Sequence, residues 1–276
     1  MKLHKVFLAT LAAGLLSTTA AMAIPTATVD GITIPIDSAS GGAIFSVQVD
    51  HETQITSVGD QLTGYGVVNQ IQDFPTSTTT YLQPCSSVGC SGTFLTDVFT
   101  GLTVRSIVPS ATGFDVYLTG GMINYYVQNS LPNLNTGNQA TDMTNAGQGA
   151  LFLSLQPTVF DNFGDTMHIF VPGNTLAGFS GDAQGDAFLN VAGGDAGSIF
   201  DTNTFSTGFN NTTADLQFVG NAHEVSGNDF PIGGSDDLFA NTVPEPSSLA
   251  LLGAGLFVIG WALRRRKTST AFNTLA

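Results

Sequence analysis

Residues 24–242 predict an all-β fold, an antiparallel β-sandwich or barrel-like domain, and three observations carry that expectation. Apolar and polar residues alternate with a period of two in several short runs, Gly, Asn, Asp and Ser cluster between the runs, and no stretch of this region shows a 3.6-residue apolar period. Successive side chains on a strand point to opposite faces, so such a run offers one face to a core and one to water. About 219 residues are enough for one sizeable core.

The elements follow in order along the chain. Phe45, Val47 and Val49 alternate with Ser46, Gln48 and Asp50. Leu102 and Val104 alternate with Thr103 and Arg105, and Phe114, Val116 and Leu118 flank Asp115 and Tyr117. Phe188 to Val191 repeat the period, as do Leu216 and Phe218 around Gln217. Turns are expected at Ser40-Gly41-Gly42, Gly120-Gly121, Asn135-Thr136-Gly137-Asn138, Gly193-Gly194-Asp195 and Gly233-Gly234-Ser235-Asp236. The polar stretch Asn129 to Gly149 reads as a long surface loop or as a boundary between two β subdomains. Composition does not shift across it, so one domain is expected, and the lack of a fixed-period repeat disfavours a solenoid.

Both ends are address labels rather than parts of the sheet. Lys2 and Lys5 precede an apolar stretch from Val6 to Leu16, and Ala21-Met22-Ala23 gives the small-x-small pattern read by signal peptidase. Cleavage after Ala23 leaves Ile24 as the first mature residue. At the other end Pro244-Glu245-Pro246 precedes an apolar run, Leu249–Leu263, and a basic stop, Arg264, Arg265, Arg266 and Lys267. The two prolines forbid continuous helix and hold Glu245 extended and exposed. A helix of fifteen residues rises about 22 Å against a hydrocarbon core of about 30 Å. Extension through Ser247 and Ser248 and snorkelling arginines bridge the difference, so 249–263 is expected to span the inner membrane. The four cations place the tail, 268–276, in the cytoplasm and the preceding domain outside.

The run Val243-Pro244-Glu245-Pro246-Ser247-Ser248-Leu249-Ala250-Leu251-Leu252-Gly253, the apolar helix and Arg264-Arg265-Arg266 resemble the PEP-CTERM sorting signal, over residues 243–267. That resemblance implies a Gram-negative bacterium, a membrane-embedded exosortase that processes the chain near Pro244-Glu245-Pro246, transient anchoring, and release to the cell surface or beyond alongside exopolysaccharide. The extension Thr268–Ala276 departs from the pattern, where the chain would stop sooner. Patches such as Gly185 to Gly194, Phe200 to Thr204 and Gly59 to Gly66 look similar to β-rich ectodomains linked to floc and matrix formation.

Charge narrows the partners. Twenty of the twenty-one Asp and Glu residues lie in 24–242 and Arg105 is its one Lys or Arg, a formal charge of −19. Such a surface does not attract nucleic acid or an anionic bilayer; divalent cations or cationic groups are the expected counter-charges. Cys85 and Cys90, joined by a flexible Ser/Gly-rich spacer, suit a structural disulfide in an oxidising compartment. Closing that ring adds about 2 kcal/mol in the loop-entropy model.

Catalytic signatures are sparse. His51-Glu52 is followed by Ile55 where a helical zinc motif needs histidine, His223-Glu224 likewise has no partner, and no Gly-x-Ser-x-Gly elbow occurs. The one tryptophan, Trp261, belongs to the C-terminal apolar run. Asp182, Gln184 and Asp186 alternate beside Gly181 and Gly185, hard oxygen ligands on a glycine-rich stretch that suit Ca²⁺, although Ala187 breaks the EF-hand pattern. With the sorting-signal resemblance, which implies export alongside exopolysaccharide, the expected function is that of a non-enzymatic structural or adhesive protein of an exopolysaccharide, biofilm or floc matrix. The rivals are a secreted polysaccharide hydrolase and a glycan- or calcium-dependent binding module.

Overall fold

The computed structural model describes residues 26–35, 42–74, 79–82, 92–179, 181–225, 230–243 and 255–256. Every alternating run named above lies in a strand, and the fold is all-β. The strands are β1 (Thr26–Val29), β2 (Ile32–Pro35), β3 (Gly42–Glu52), β4 (Gln61–Phe74), β5 (Thr79–Tyr81), β6 (Phe94–Pro109) and β7 (Gly113–Gln128). After helix α1 (Gln139–Ala146) come β8 (Ala150–Pro157), β9 (Met167–Pro172) and β10 (Ala183–Gly193). A short helix α2 (Gly197–Phe200) leads to β11 (Phe205–Ser206), β12 (Thr213–Ala214), β13 (Leu216–Glu224) and β14 (Ile232–Asn241).

The main sheet closes on itself. Its order is β13-β14-β3-β4-β6-β7-β8-β10, and β10 pairs back onto β13, every contact antiparallel. Apart from the closing β14–β3 pair, neighbours in space follow one another along the chain, an up-and-down barrel that leaves few open edges. Strands β8 and β9 share one position. Strand β8 pairs with Ile123–Val127 of β7, β9 with Gly113–Leu118, and both pair with β10. Eight strand positions give a barrel whose interior is just filled by side chains.

Alternation sends Phe45, Leu95, Leu118, Leu155, Leu189, Leu216 and Leu238 into that interior, all buried. The Phe45 ring lies 5.4 Å from Phe200, 6.1 Å from Tyr125 and 6.4 Å from Phe152, centroid to centroid. Each such side chain contributes roughly 1.5–3 kcal/mol by leaving water. The N-terminal hairpin β1–β2 adds Ile32 and Ile34 to the same core, both 0% exposed.

Two glycine clusters expected as turns lie inside strands instead. Gly120 and Gly121, at φ +73° and +97°, kink β7 where its partner changes from β9 to β8. A Cβ on Gly121 would stand 2.5 Å from Leu102 Cδ2, so the kink also brings the strands close. Gly233 to Asp236 belong to β14, with a register shift between Gly234 and Asp236.

The stretch 129–149 is a surface excursion against the outer wall, and it holds α1, which the sequence pattern did not announce. Asn138 caps the helix by accepting from Thr141 N at 3.0 Å. Only Asp142 and Ala146 of α1 are buried, so no apolar stripe exists to read. Asp142 accepts from Thr136 N and Oγ1 at 3.0 and 2.6 Å, while Tyr65 on β4 donates to Leu134 O at 2.6 Å.

Candidate functional site

Residues directly opposite each other in an antiparallel pair face the same side of the sheet. Register therefore aligns His168 of β9, Asp186 of β10, Val219 of β13, Asp237 of β14, Ser46 of β3 and Gln70 of β4 in one row across the outer wall. At about 4.8 Å per strand the row is roughly 24 Å long. Its middle is the floor of a groove of about 520 Å³, completed by Gln184, Asn221, Ser235 and Asp236.

The groove is lined by donors and acceptors that fix one another. Ser46 Oγ donates to Asp237 Oδ1 at 2.7 Å, and Asn221 Nδ2 donates to Ser235 Oγ at 3.2 Å. Asp236 sits beneath, 9% exposed, next to Gly220. A Cβ at Gly220 would fall 2.1 Å from Asp236 Oδ1, so glycine there makes room for the carboxylate. Below Val219 the groove continues into an apolar depression of about 390 Å³ lined by Ile44, Phe205, Phe239 and Ala240, with Gln217 and Asn241 at its rim. Phe205 comes from the β11–β12 hairpin.

One end of the row is a histidine between two carboxylates. His168 Nε2 lies 3.0 Å from Asp115 Oδ1 and Nδ1 lies 3.4 Å from Asp186 Oδ1, with the Tyr117 ring 5.0 Å away. Hydrogen bonding to Asp186, with Asp115 adding, outweighs partial burial and raises the imidazole pKa. His51 behaves oppositely. Burial beside the Tyr65 and Phe230 rings lowers its pKa, opposed by the charge of Asp142. His223 is exposed.

Inside the barrel a second set of acids meets. Asp97 is 4% exposed on the inward face of β6, and it lines a void of about 20 Å³ with Glu52, Asp236, Tyr125 and Phe218. Asp97 Oδ1 has no hydrogen-bond partner. Burial, supplemented by the charge of Glu52, pushes its pKa up to about 7. The void holds about one water molecule, far too little for a sugar ring, so this carboxyl is not placed to protonate a glycosidic oxygen.

Arg105 is committed elsewhere. It is the extra residue of a bulge in β6 and pairs in bidentate fashion with Asp165, whose side chain is 0% exposed. The Phe163 ring lies 5.1 Å from the guanidinium carbon, and Asp161 Oδ1 receives the Phe163 and Asp165 amides at 2.9 Å each. This cluster pins the excursion 158–166 between β8 and β9, and leaves the groove without a cationic side chain among its lining residues.

Of the residues singled out from sequence, Gln184 and Asp186 project outward from β10 and Asp182 stands just before it, all three exposed. Among the described residues no three His, Cys, Asp or Glu side chains converge as a metal site. Ala21, Ala23, Cys85, Cys90, Pro244, Glu245, Pro246, Arg264, Arg265, Arg266 and Lys267 lie outside the described residues, as does all of 249–263 except Gly255 and Leu256. Among the described residues no helix is long and apolar enough to cross a membrane. The barrel ends immediately before Pro244: Thr242 is 7% exposed and Val243 N donates to Ile199 O at 2.8 Å.

Sequence reading missed Ser46, Gln70, Asp237, Phe239 and Phe205 as groove residues. The first four are ordinary outward positions on their own strands that only pairing register lines up, whereas Phe205 reaches the depression from the separate β11–β12 hairpin. Asp97 carried a signal, an acid at a position flanked at i±2 by Leu95 and Phe99, the pattern of an inward-facing set.

An all-β barrel with an acidic external groove is the kind of molecule that fold and site define. Residues 242–267 match the family model of the PEP-CTERM protein-sorting motif, so the chain carries that motif, which implies export and membrane-anchored sorting by an exosortase. No curated protein and no solved structure matches the chain.

Proposed function

We propose that this protein is a non-catalytic adhesive component of the exopolysaccharide matrix of a Gram-negative cell, released to the surface after exosortase processing near Pro244-Glu245-Pro246. Its barrel holds polysaccharide in the outer groove. The supporting observation is the groove's division of labour. Amide, hydroxyl and carboxylate groups of Ser46, Gln70, Gln184, Asn221 and Asp237 occupy one part, and the apolar depression of Phe205, Phe239 and Ile44 continues it. A sugar chain presents hydroxyl edges and apolar ring faces in turn, and such a surface meets both. The sorting motif supplies the delivery route.

The test is retention of the processed protein on the producing cell's own purified exopolysaccharide, together with floc and biofilm formation by a deletion strain. Retention and a defective matrix are the expected results. A protein that passes through unretained, from a strain whose deletion leaves flocs and biofilm normal, overturns the reading.

A further inference from the structure

The groove's charge points to one chemical class of sugar. Its lining holds Asp186, Asp236 and Asp237 and no Lys or Arg. Arg105, the one cation of residues 24–242, is bound to Asp165. Along the cross-strand row Asp186 and Asp237 are two strands apart, roughly 10 Å. Val219, 43% exposed, stands between them, so the row alternates acid, apolar and acid. Asp236 lies beneath the floor, on the inward face next to Gly220. Gln70, Gln184, Asn221, Ser46 and Ser235 supply neutral donors and acceptors around these acids. A uronate or sulfated chain would bring like charges against the two outward carboxylates, Asp186 and Asp237. A neutral glucan would bring no positive charge to either of them.

Resting on the glycan reading above, we infer that the groove selects a polysaccharide bearing free amino groups, a partly or fully N-deacetylated hexosamine chain. Protonated amines meet Asp186 and Asp237 in charge-assisted hydrogen bonds, and the ring faces lie on Val219 and the Phe205–Phe239 depression. His168 holds Asp186 in place from the far side.

The probes are glucosamine hexamer, its fully N-acetylated counterpart, an oligouronate of the same length and oligolysine, titrated calorimetrically into the processed chain. Glucosamine hexamer is expected to bind, the acetylated oligomer at least tenfold more weakly, and the oligouronate not at all. The paired substitutions Asp186→Asn and Asp237→Asn are expected to raise the glucosamine Kd roughly tenfold with the far-ultraviolet circular dichroism spectrum unchanged. Asp195→Asn with Asp201→Asn changes net charge equally on exposed residues outside the groove and is expected to leave Kd within about twofold. Equal binding of the acetylated hexamer overturns the amine selection while leaving the glycan reading intact. Equal losses from both paired variants overturn the site. Oligolysine bound as tightly as glucosamine, with the same dependence on Asp186 and Asp237, reassigns the groove to basic peptide. No binding of any saccharide overturns the glycan reading with it.

Discussion

Asp215 at the base of the barrel and Asp97 in its middle are buried to nearly the same depth, 2% and 4% exposed, yet their surroundings answer the buried charge differently. Asp215 accepts three backbone amides, Val191 N and Thr202 N at 2.8 Å and Asn203 N at 2.6 Å, and so ties the end of β10 to the chain after α2. Asp142 does the same for the outer excursion through Thr136, and Asp165 takes Arg105. Asp97 has an orphaned oxygen, Glu52 as a like-charged neighbour and apolar side chains around it. In a domain with one cation, loops supply free N–H groups to buried acids. A strand interior cannot, because its amides are already used in the ladder. Burial therefore pushes the pKa of the acid inside the barrel up to about 7.

Removing the satisfied acid should have the largest effect. Asp215→Ala leaves three amides unpaired and is expected to cost roughly 3–5 kcal/mol. Urea unfolding measures it as a lower midpoint at unchanged slope, and a loss under about 1 kcal/mol would mean that those amides find water instead.

Next comes the unsatisfied acid, through pH. With a folded-state pKa of about 7 against an unfolded value near 3.9, the folded chain binds Asp97's proton more tightly than the unfolded one. Its contribution is fully present below about pH 4 and is lost as pH rises to about 7, by roughly 3–4 kcal/mol from this group. Asp97→Asn is expected to flatten that decline and to be more stable than the parent at pH 8. A variant with the parent's pH profile would show that Asp97 ionises normally.

The smallest effect separates the two half-buried histidines. Proton NMR titration is expected to place His168 above and His51 below an ordinary imidazole. Stability held by His168 is lost as pH rises through its raised pKa, whereas that held by His51 is lost as pH falls through the ordinary imidazole range. Asp115→Asn should bring His168 part of the way down. Coincident titration of the two rings would remove the carboxylate pair as the cause.

Legibility followed the range of the interactions. Strand identity could be read at Phe45–Val49 or Leu216–Phe218 because side-chain alternation is local. Gly120-Gly121 and Gly233-Gly234 misled, because glycine marks a kink or bulge as readily as a turn, and only the facing strand distinguishes them. Helix α1 escaped because its hold on the wall is polar: Thr96 Oγ1 donates to Ala146 O at 2.6 Å and Gln128 Nε2 to the same oxygen at 3.0 Å.

By itself the sequence determined the all-β character, the extreme negative charge and the sorting motif at 242–267. All three reside in local composition or in a contiguous run of residues. Closure of the sheet, the row from His168 to Gln70 and the isolation of Asp97 were decided only by tertiary structure. Each depends on which residues from distant strands stand opposite one another, and a period-two pattern fixes the face of a side chain without fixing its neighbour.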